Sequence, residues 1–388
     1  MNNRFAIRTI TVGINLESLY KTDKILHAIR FLKKAVLIFQ EAGYSVQTIR
    51  IATNHLHEMS SSLTTSEVIN RLKEIDALTH EDNIFFSVGE LCKPNFHDAK
   101  FTLLAEEIIS QTRNINFSVR ISEFEKGIYF KSIKLAAEII SAIAHGSPGG
   151  EGNFRFAAAA NCPPHIPFFP VAYHKGMPGF SLGIESPGIL IEALKGDDWD
   201  QNKKNLQTAL NKAFLPLENI CMKISEDTGL VYYGIDTSTA PGLNSSIGEV
   251  IEKITHQAFG ASSTLSACSF ITDIIKNLYV KSCGYSGLML PVLEDKILAQ
   301  RVMEGMFTVQ ELLMYSAVSG TGLDVVPLPG NTTTGQLQRI LMDVATLSVK
   351  YISKPMSARL FLIPGKEAGE TVGFKNPYLT DSRVMKLY

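Results

Sequence analysis

Polar and apolar residues alternate from Phe5 to Ile14, with Ile7, Thr9 and Thr11 on one side, the two-residue period of a strand. Thr22 and Asp23 are suited to cap a following helix, in which Ile25, Ile29, Leu32, Val36 and Phe39 recur at helical spacing. Gly43 stops that helix, and Tyr44 to Thr53 reads as the next strand. The cycle repeats: helix Ser66 to Leu78 before strand Asn83 to Val88, helix Ala99 to Thr112 before strand Asn114 to Ile121, helix Tyr129 to Ala144 before strand Phe154 to Ala160. Such alternation with short connections predicts a largely parallel sheet.

The second half alternates less regularly. Its strands are expected at Gly179 to Ile184, Leu230 to Ile235, Leu288 to Pro291, Leu323 to Val326 and Ala358 to Ile363. Helices are expected between them, at Gln201 to Ser225, Ser245 to His256, Thr264 to Val280 and Thr334 to Ser353. The two halves together give roughly ten strands in an α/β fold. The clearest punctuation, Gly146 to Gly152, is read as a flexible loop within one domain, because a strand follows at once.

Composition narrows the function classes. The 388 residues carry 37 basic and 38 acidic side chains, so there is no basic face of the kind that binds nucleic acid. Lys33-Lys34 and Lys203-Lys204 read as solvated helix faces. No stretch has the roughly 18 apolar residues of a membrane span, and Met1 to Gly13 lacks the charged-then-apolar pattern of a secretory leader. The five cysteines are scattered without metal-binding or redox spacing, which fits reduced thiols in a cytoplasmic setting. The expected partner is a small molecule rather than nucleic acid or membrane; oligomeric state stays open, since core packing explains the apolar face of Lys24 to Phe39.

Candidate chemistry concentrates in the loops of the second half. His55, His57 and Glu58 lie just past a strand but read as a solvated loop rather than a metal site, because no third ligand is near. Cys92 stands near Lys93, where only exposure would make it reactive. The segment Asn161 to Pro170 is different: its four prolines stiffen it, and it leads to Tyr173-His174-Lys175-Gly176. Cys162, His165 and His174 could form a nucleophile and base there, against the reading of a rigid crossover with a buried thiol.

Glu185 with Ser186, and Asp236 with Thr237 and Ser238, each put an acid and hydroxyls at a strand end, where parallel sheets gather ligand groups. Each could also be only a helix cap. The glycine-rich turns Ser282 to Gly287 and Ser319 to Asp324 match neither a nucleophile elbow nor a P-loop, yet their backbone could approach an anion.

Several segments, taken in order, resemble a known family: Ile7 to Ile14, Tyr173 to Gly176, Gly234 to Ser238, Gly320 to Asp324 and Ser357-Ala358-Arg359. They are similar to domain-of-unknown-function family 711, whose bacterial members are often called PFL family proteins. The resemblance covers nearly the whole chain. It implies a fold like that of pyruvate formate-lyase and the ribonucleotide reductases, a ten-stranded α/β barrel of two five-stranded parallel halves, about 1–160 and 161–388. Glycyl-radical relatives of that fold carry an Arg-Val-x-Gly-aromatic motif. Thr371-Val372-Gly373-Phe374 lacks the arginine and the intervening residue, and adjacent cysteines are absent, so radical chemistry is disfavoured. The resemblance supplies no established substrate, the cofactor is left unknown, and a fold alone does not imply a function.

Three readings follow. In the first, a non-radical enzyme acts on a small polar or anionic metabolite in the barrel mouth. Asp236 or Glu185 would be base or acid, His174 a proton carrier near neutral pH and Cys162 the nucleophile. Arg155 or Arg359 would orient an anionic group, with Ser186, Ser238, Cys283, Ser286, Thr321 and Asp324 as further substrate contacts. The second is a ligand-binding or regulatory protein without catalysis. The third is a metal-dependent hydrolase using His174, Glu185 and Asp236.

Overall fold

The fold is that of a computed structural model, which describes residues 5–242, 245–350 and 354–387. Among the described residues ten strands make one mixed sheet: β1 (Ala6–Ile14), β2 (Val46–Thr53), β3 (Ile84–Glu90), β4 (Ile115–Glu123), β5 (Gly127–Ile128), β6 (Phe156–Ala160), β7 (Gly179–Glu185), β8 (Val231–Ala240), β9 (Gly322–Pro329) and β10 (Met356–Ile363). A hairpin of β11 (Thr371–Val372) and β12 (Ser382–Arg383) stands apart.

The strand order is β8-β7-β1-β2-β3-β4-β6-β10-β9, with the short β5 attached to β4. Strands β1, β2, β3, β4 and β6 run parallel, as the regular alternation of the first half requires. The second half turns over: β7 lies antiparallel to β1, and β10 antiparallel to β6. Within that half, β7 and β8 are parallel, as are β9 and β10. The two open ends of the path, β8 and β9, are both touched by one segment. Ile235 of β8 bridges Ser282, while Leu288 and Pro291 bridge Gly320 and Asp324, all in the parallel sense. The expected strand Leu288 to Pro291 is therefore present only as single bridges, because the turns on either side leave it too short for a ladder.

Helices cover the outer face of the first half. Helix Thr22–Glu41 buries Ile25, Ala28, Ile29, Leu32, Ala35 and Phe39, the stripe that its periodicity marks. It begins after Lys21 with no side-chain cap, so the capping role expected of Thr22 and Asp23 is not taken up. Gly43 does end it, at φ +87°. The next long helix, Thr65–His80, begins with a capping box between Thr64 and Glu67. Four helices escaped the periodic reading: Leu56–Met59, Pro187–Ala193, Lys296–Met303 and Val309–Ser319. The first three span at most two turns or so, too short for a periodic signal. The last is apolar on most sides. The helix expected to run to Ser353 is described to Lys350, and 351–353 lie outside the described residues.

Gly146 to Gly152 is not a free loop. Pro148–Arg155 forms tight 3-10 turns in which Gly149 and Gly150 take positive φ, and a β-carbon on Gly150 would collide with the carbonyl of Leu362 in β10. One hydrophobic cluster runs from Ile7 through both halves to Met385. Among the described residues, no helix is long and apolar enough to cross a membrane. All five thiols are free, and four of them are buried.

Candidate functional site

The proline-stiffened segment that leaves β6 folds back over one face of the sheet. The hydroxyls of Thr11 in β1 and Ser87 in β3 donate to the carbonyls of Pro167 (2.9 Å) and Ala172 (2.6 Å). The backbone N–H of His174 donates to Thr53 of β2 (2.8 Å), and that of His165 to Tyr173 (3.0 Å), closing the loop at its base. Phe168, Phe169, Pro170 and Val171 at the far end form one wall of a cavity that is partly open to solvent.

The other walls come from both halves of the chain. Arg8 of β1, Thr48 and Arg50 of β2, Phe85 of β3 and Asn116 of β4 face Ala240, Tyr285, Glu294, Thr321, Asp324, Ser357 and Arg359. Arg359 is paired: its Nε and Nη2 fork onto the two oxygens of Asp324 (2.5 and 3.0 Å), and Nη2 reaches Glu294 at 3.4 Å. Arg50 is not. Its guanidinium touches the hydroxyl of Thr48 (3.3 Å) and the carbonyl of Pro167 (3.5 Å) and lies 5.1 Å from the ring centre of Phe169. It has no carboxylate at ion-pair distance among the described residues. Burial, with the charge of Arg8 added to it, pulls its pKa down to about 9, which still leaves it a cation at neutral pH.

Three of the expected site residues, Thr321, Asp324 and Arg359, line this cavity. Asp236, Ser238 and Ser286 are also brought together, but to hold a turn. The Asp236 carboxylate accepts from the N–H groups of Ser238 (3.1 Å), Tyr285 (2.8 Å) and Ser286 (2.9 Å) and from the Ser238 hydroxyl (2.6 Å). Ser238 in turn accepts from the N–H of Gly287 (3.1 Å). This knot fixes Tyr285, which faces the cavity; burial still raises the Asp236 pKa to about 6. The backbone N–H of Cys283 donates to Ile235, and its thiol is pushed well up by burial.

Other expected residues sit elsewhere, each for a physical reason. Arg155 caps carbonyls, donating to Ile109 (2.5 Å), Ile115 (3.1 Å) and the hydroxyl of Thr112 (2.9 Å), so its fork has no room for a ligand. Ser186 is buried, and its hydroxyl has no hydrogen-bond partner among the described residues. Glu185 sits at the end of β7, bonded by Gln47 and by Ser245 (3.0 Å). Since Arg8 donates to the same Gln47 (2.9 Å), Glu185 reaches the cavity only through that side chain. Cys162 opens on a separate recess with Arg120, Asn161, Tyr173 and Tyr285. Its thiol lies 3.2 Å from the carbonyl of Met356, and burial raises it to about 12, which disfavours a nucleophilic thiolate. The His174 ring is buried beside His165 and Tyr233, with neither nitrogen at hydrogen-bond geometry to any described residue. Burial lowers it to about 4, so it is not a proton carrier near neutral pH.

His55 and His57 are not a solvated loop either. They open a one-turn helix and stack on each other, and His55 packs on Tyr173. The Nδ1 of His55 accepts from the N–H of Glu90 (3.2 Å), whose buried carboxylate holds Arg120 through two 2.5 Å contacts. The second oxygen of Glu90 has no hydrogen-bond partner among the described residues. Cys92 is buried and its thiol raised to about 12 by burial, which removes the reactive reading. Among the described residues, no three His, Cys, Asp or Glu are grouped to share a metal ion, and His174, Glu185 and Asp236 do not meet.

Arg50, Arg8, Tyr285 and Glu294 were missed as site residues. For Arg50 a signal existed: a charge in the middle of Thr48-Ile49-Arg50-Ile51-Ala52, where a parallel strand is buried on both faces.

The matches to known proteins agree in extent with this single run of structure. A family model described as Uncharacterised ACR (DUF711) matches residues 1–375. A "UPF0210 protein" from Pyrobaculum islandicum is 26% identical over 389 residues, covering 95% of this chain and 85% of that protein. Proteins of the same name from Methanocorpusculum labreanum and Lachnospira eligens are 25% and 26% identical, with 95% of this chain and 88% of theirs covered.

Proposed function

The chain belongs to the DUF711 family, and from that premise we propose that it binds a small anionic metabolite inside an α/β barrel and acts on it by acid-base chemistry. The observation that carries this reading is Arg50, a cation set in an aromatic-walled cavity without a carboxylate partner. Leaving a charge so placed is costly unless a ligand compensates it. Concave, largely apolar cavities with a few convergent polar groups are the usual form of a metabolite site.

The barrel reading rests on the segment from Ser282 to Pro291. It bridges to β8 on one side and β9 on the other, the two strands left open in the sheet order. Counting it as the fifth member of the second half gives two parallel sets of five, joined antiparallel at β1–β7 and β6–β10. This is the architecture implied by the likeness to pyruvate formate-lyase. Radical chemistry remains disfavoured: Gly373 lies exposed next to β11, outside the cavity lining.

For the chemistry, the cavity supplies the carboxylate of Glu294 and the hydroxyl of Tyr285, which donates to Ser357 (2.7 Å). Glu185 stands one side chain further out, bonded to the Gln47 that Arg8 also holds. Asp236 acts from behind, by holding Tyr285 in place. A second reading, binding without turnover, is favoured by the withdrawn thiol of Cys162 and the low pKa of His174.

Thermal unfolding with a panel of carboxylates and phosphate esters tests the binding. Tight ligands raise the midpoint by mass action, and Arg50→Ala should abolish the rise. A panel that leaves the wild-type midpoint unmoved refutes it. Product analysis on the bound compound then separates the readings: an enzyme converts it and Tyr285→Phe slows conversion without loss of binding, whereas a binding protein returns it unchanged.

A further inference from the structure

The charges around the cavity are unequally distributed. On the wall formed by the first half stand Arg50 and Arg8, with no acid paired to either among the described residues. On the opposite wall one cation, Arg359, faces two carboxylates. The fork of Arg359 is committed to Asp324, whose two oxygens it meets at 2.5 and 3.0 Å. Glu294 is left with a single long contact of 3.4 Å to the same guanidinium, and its other oxygen accepts no protein hydrogen bond among the described residues. Glu294 nevertheless lies close enough for its charge to be felt at Arg50. The space is thus a dipole, positive on β1 and β2 and negative at Glu294, just past the Ser282 to Pro291 segment, with Phe85, Phe168 and Phe169 also in its lining.

A simple anion would complement only the first wall and would be repelled by the second. We infer that the ligand is a zwitterion, an amino carboxylate whose carboxylate meets Arg50 and whose ammonium meets Glu294. A guanidinium presents a planar fork that matches a carboxylate, and an ammonium donates up to three hydrogen bonds to acceptors such as a glutamate oxygen. The carbon skeleton between the charges would lie against the aromatic rings. This rests on the anion reading above and specifies its substrate class.

The test compares matched compounds by titration calorimetry on the wild-type chain. Glycine, β-alanine, 4-aminobutyrate, leucine and phenylalanine are set against their deaminated counterparts acetate, propionate, butyrate, 4-methylpentanoate and 3-phenylpropionate. At least one amino carboxylate is expected to bind about tenfold or more tighter than its counterpart, the worth of one charge-assisted hydrogen bond. Glu294→Gln should erase that difference while leaving the counterpart's affinity in place, and Arg50→Gln should weaken both. If the deaminated compounds bind as well as the amino carboxylates, and depend on Arg50, the zwitterion is overturned and the anion reading stands. If neither series binds and phosphate esters also fail, both fall. The comparison between ligands on the wild-type chain holds whether or not a variant folds.

Discussion

A residue's chemistry in this protein is set by what surrounds it. His174 is a clear case. Burial holds its folded-state pKa at about 4, against an ordinary 6.5 in the unfolded chain. Between those values the unfolded state binds a proton that the folded state does not, so His174 makes stability rise with pH from about 4 to 6.5. Asp236 works in the opposite sense, because its pKa is raised to about 6 and the folded state holds the extra proton between about 4 and 6. Denaturant unfolding across this range should therefore show His174→Asn losing up to about 1.4 kcal/mol of slope per pH unit relative to wild type. An unchanged slope would mean that the ring is solvated. Asp236→Ala strands three backbone N–H groups in a buried turn, and we expect a loss of about 3 kcal/mol in the same measurement.

At the scale of elements, the proline-rich loop is held by close approach as well as by hydrogen bonds. A β-carbon on Gly13 of β1 would collide with the imidazole of His174, and one on Gly89 with that of His55, in tight contact with Tyr173. Gly13→Ala should destabilise by about 1–3 kcal/mol, the usual cost of overpacking. Adding His174→Ala should recover most of that loss, since the two changes share one contact. Additive effects in a double-mutant cycle would show that the loop does not sit against β1. The strength of this loop's sequence signal lay in its four prolines; its course across Thr11, Arg50 and Ser87 had none, because those partners lie far away in the chain.

For the whole molecule the decisive element is the Ser282 to Pro291 segment. If it completes a closed barrel, the N–H groups of Cys283, Leu288 and Val292, which donate to Ile235, Ser319 and Asp324, should exchange as slowly as those of β8 and β9. Hydrogen exchange read at those amides checks this, and fast exchange at all three would leave the sheet open.

The alternation of strands and helices, the parallel first half and the polar strand ends were all legible in the sequence, because periodicity and turn chemistry are local. The family was legible too, from short motifs in a fixed order. Which polar residues share a space was not. Asp236, Ser238 and Ser286 carry the same side chains whether they bind a substrate or tie a turn, and only the tertiary structure puts them behind Tyr285. Arg155 and Arg359 were equivalent as sequence; folding sets one against the carbonyls of Ile109 and Ile115 and puts the other beside Asp324. Arg50 shows the difference most plainly. Its charge can be read from the chain, but its lack of a carboxylate partner among the described residues is a property of everything packed around it.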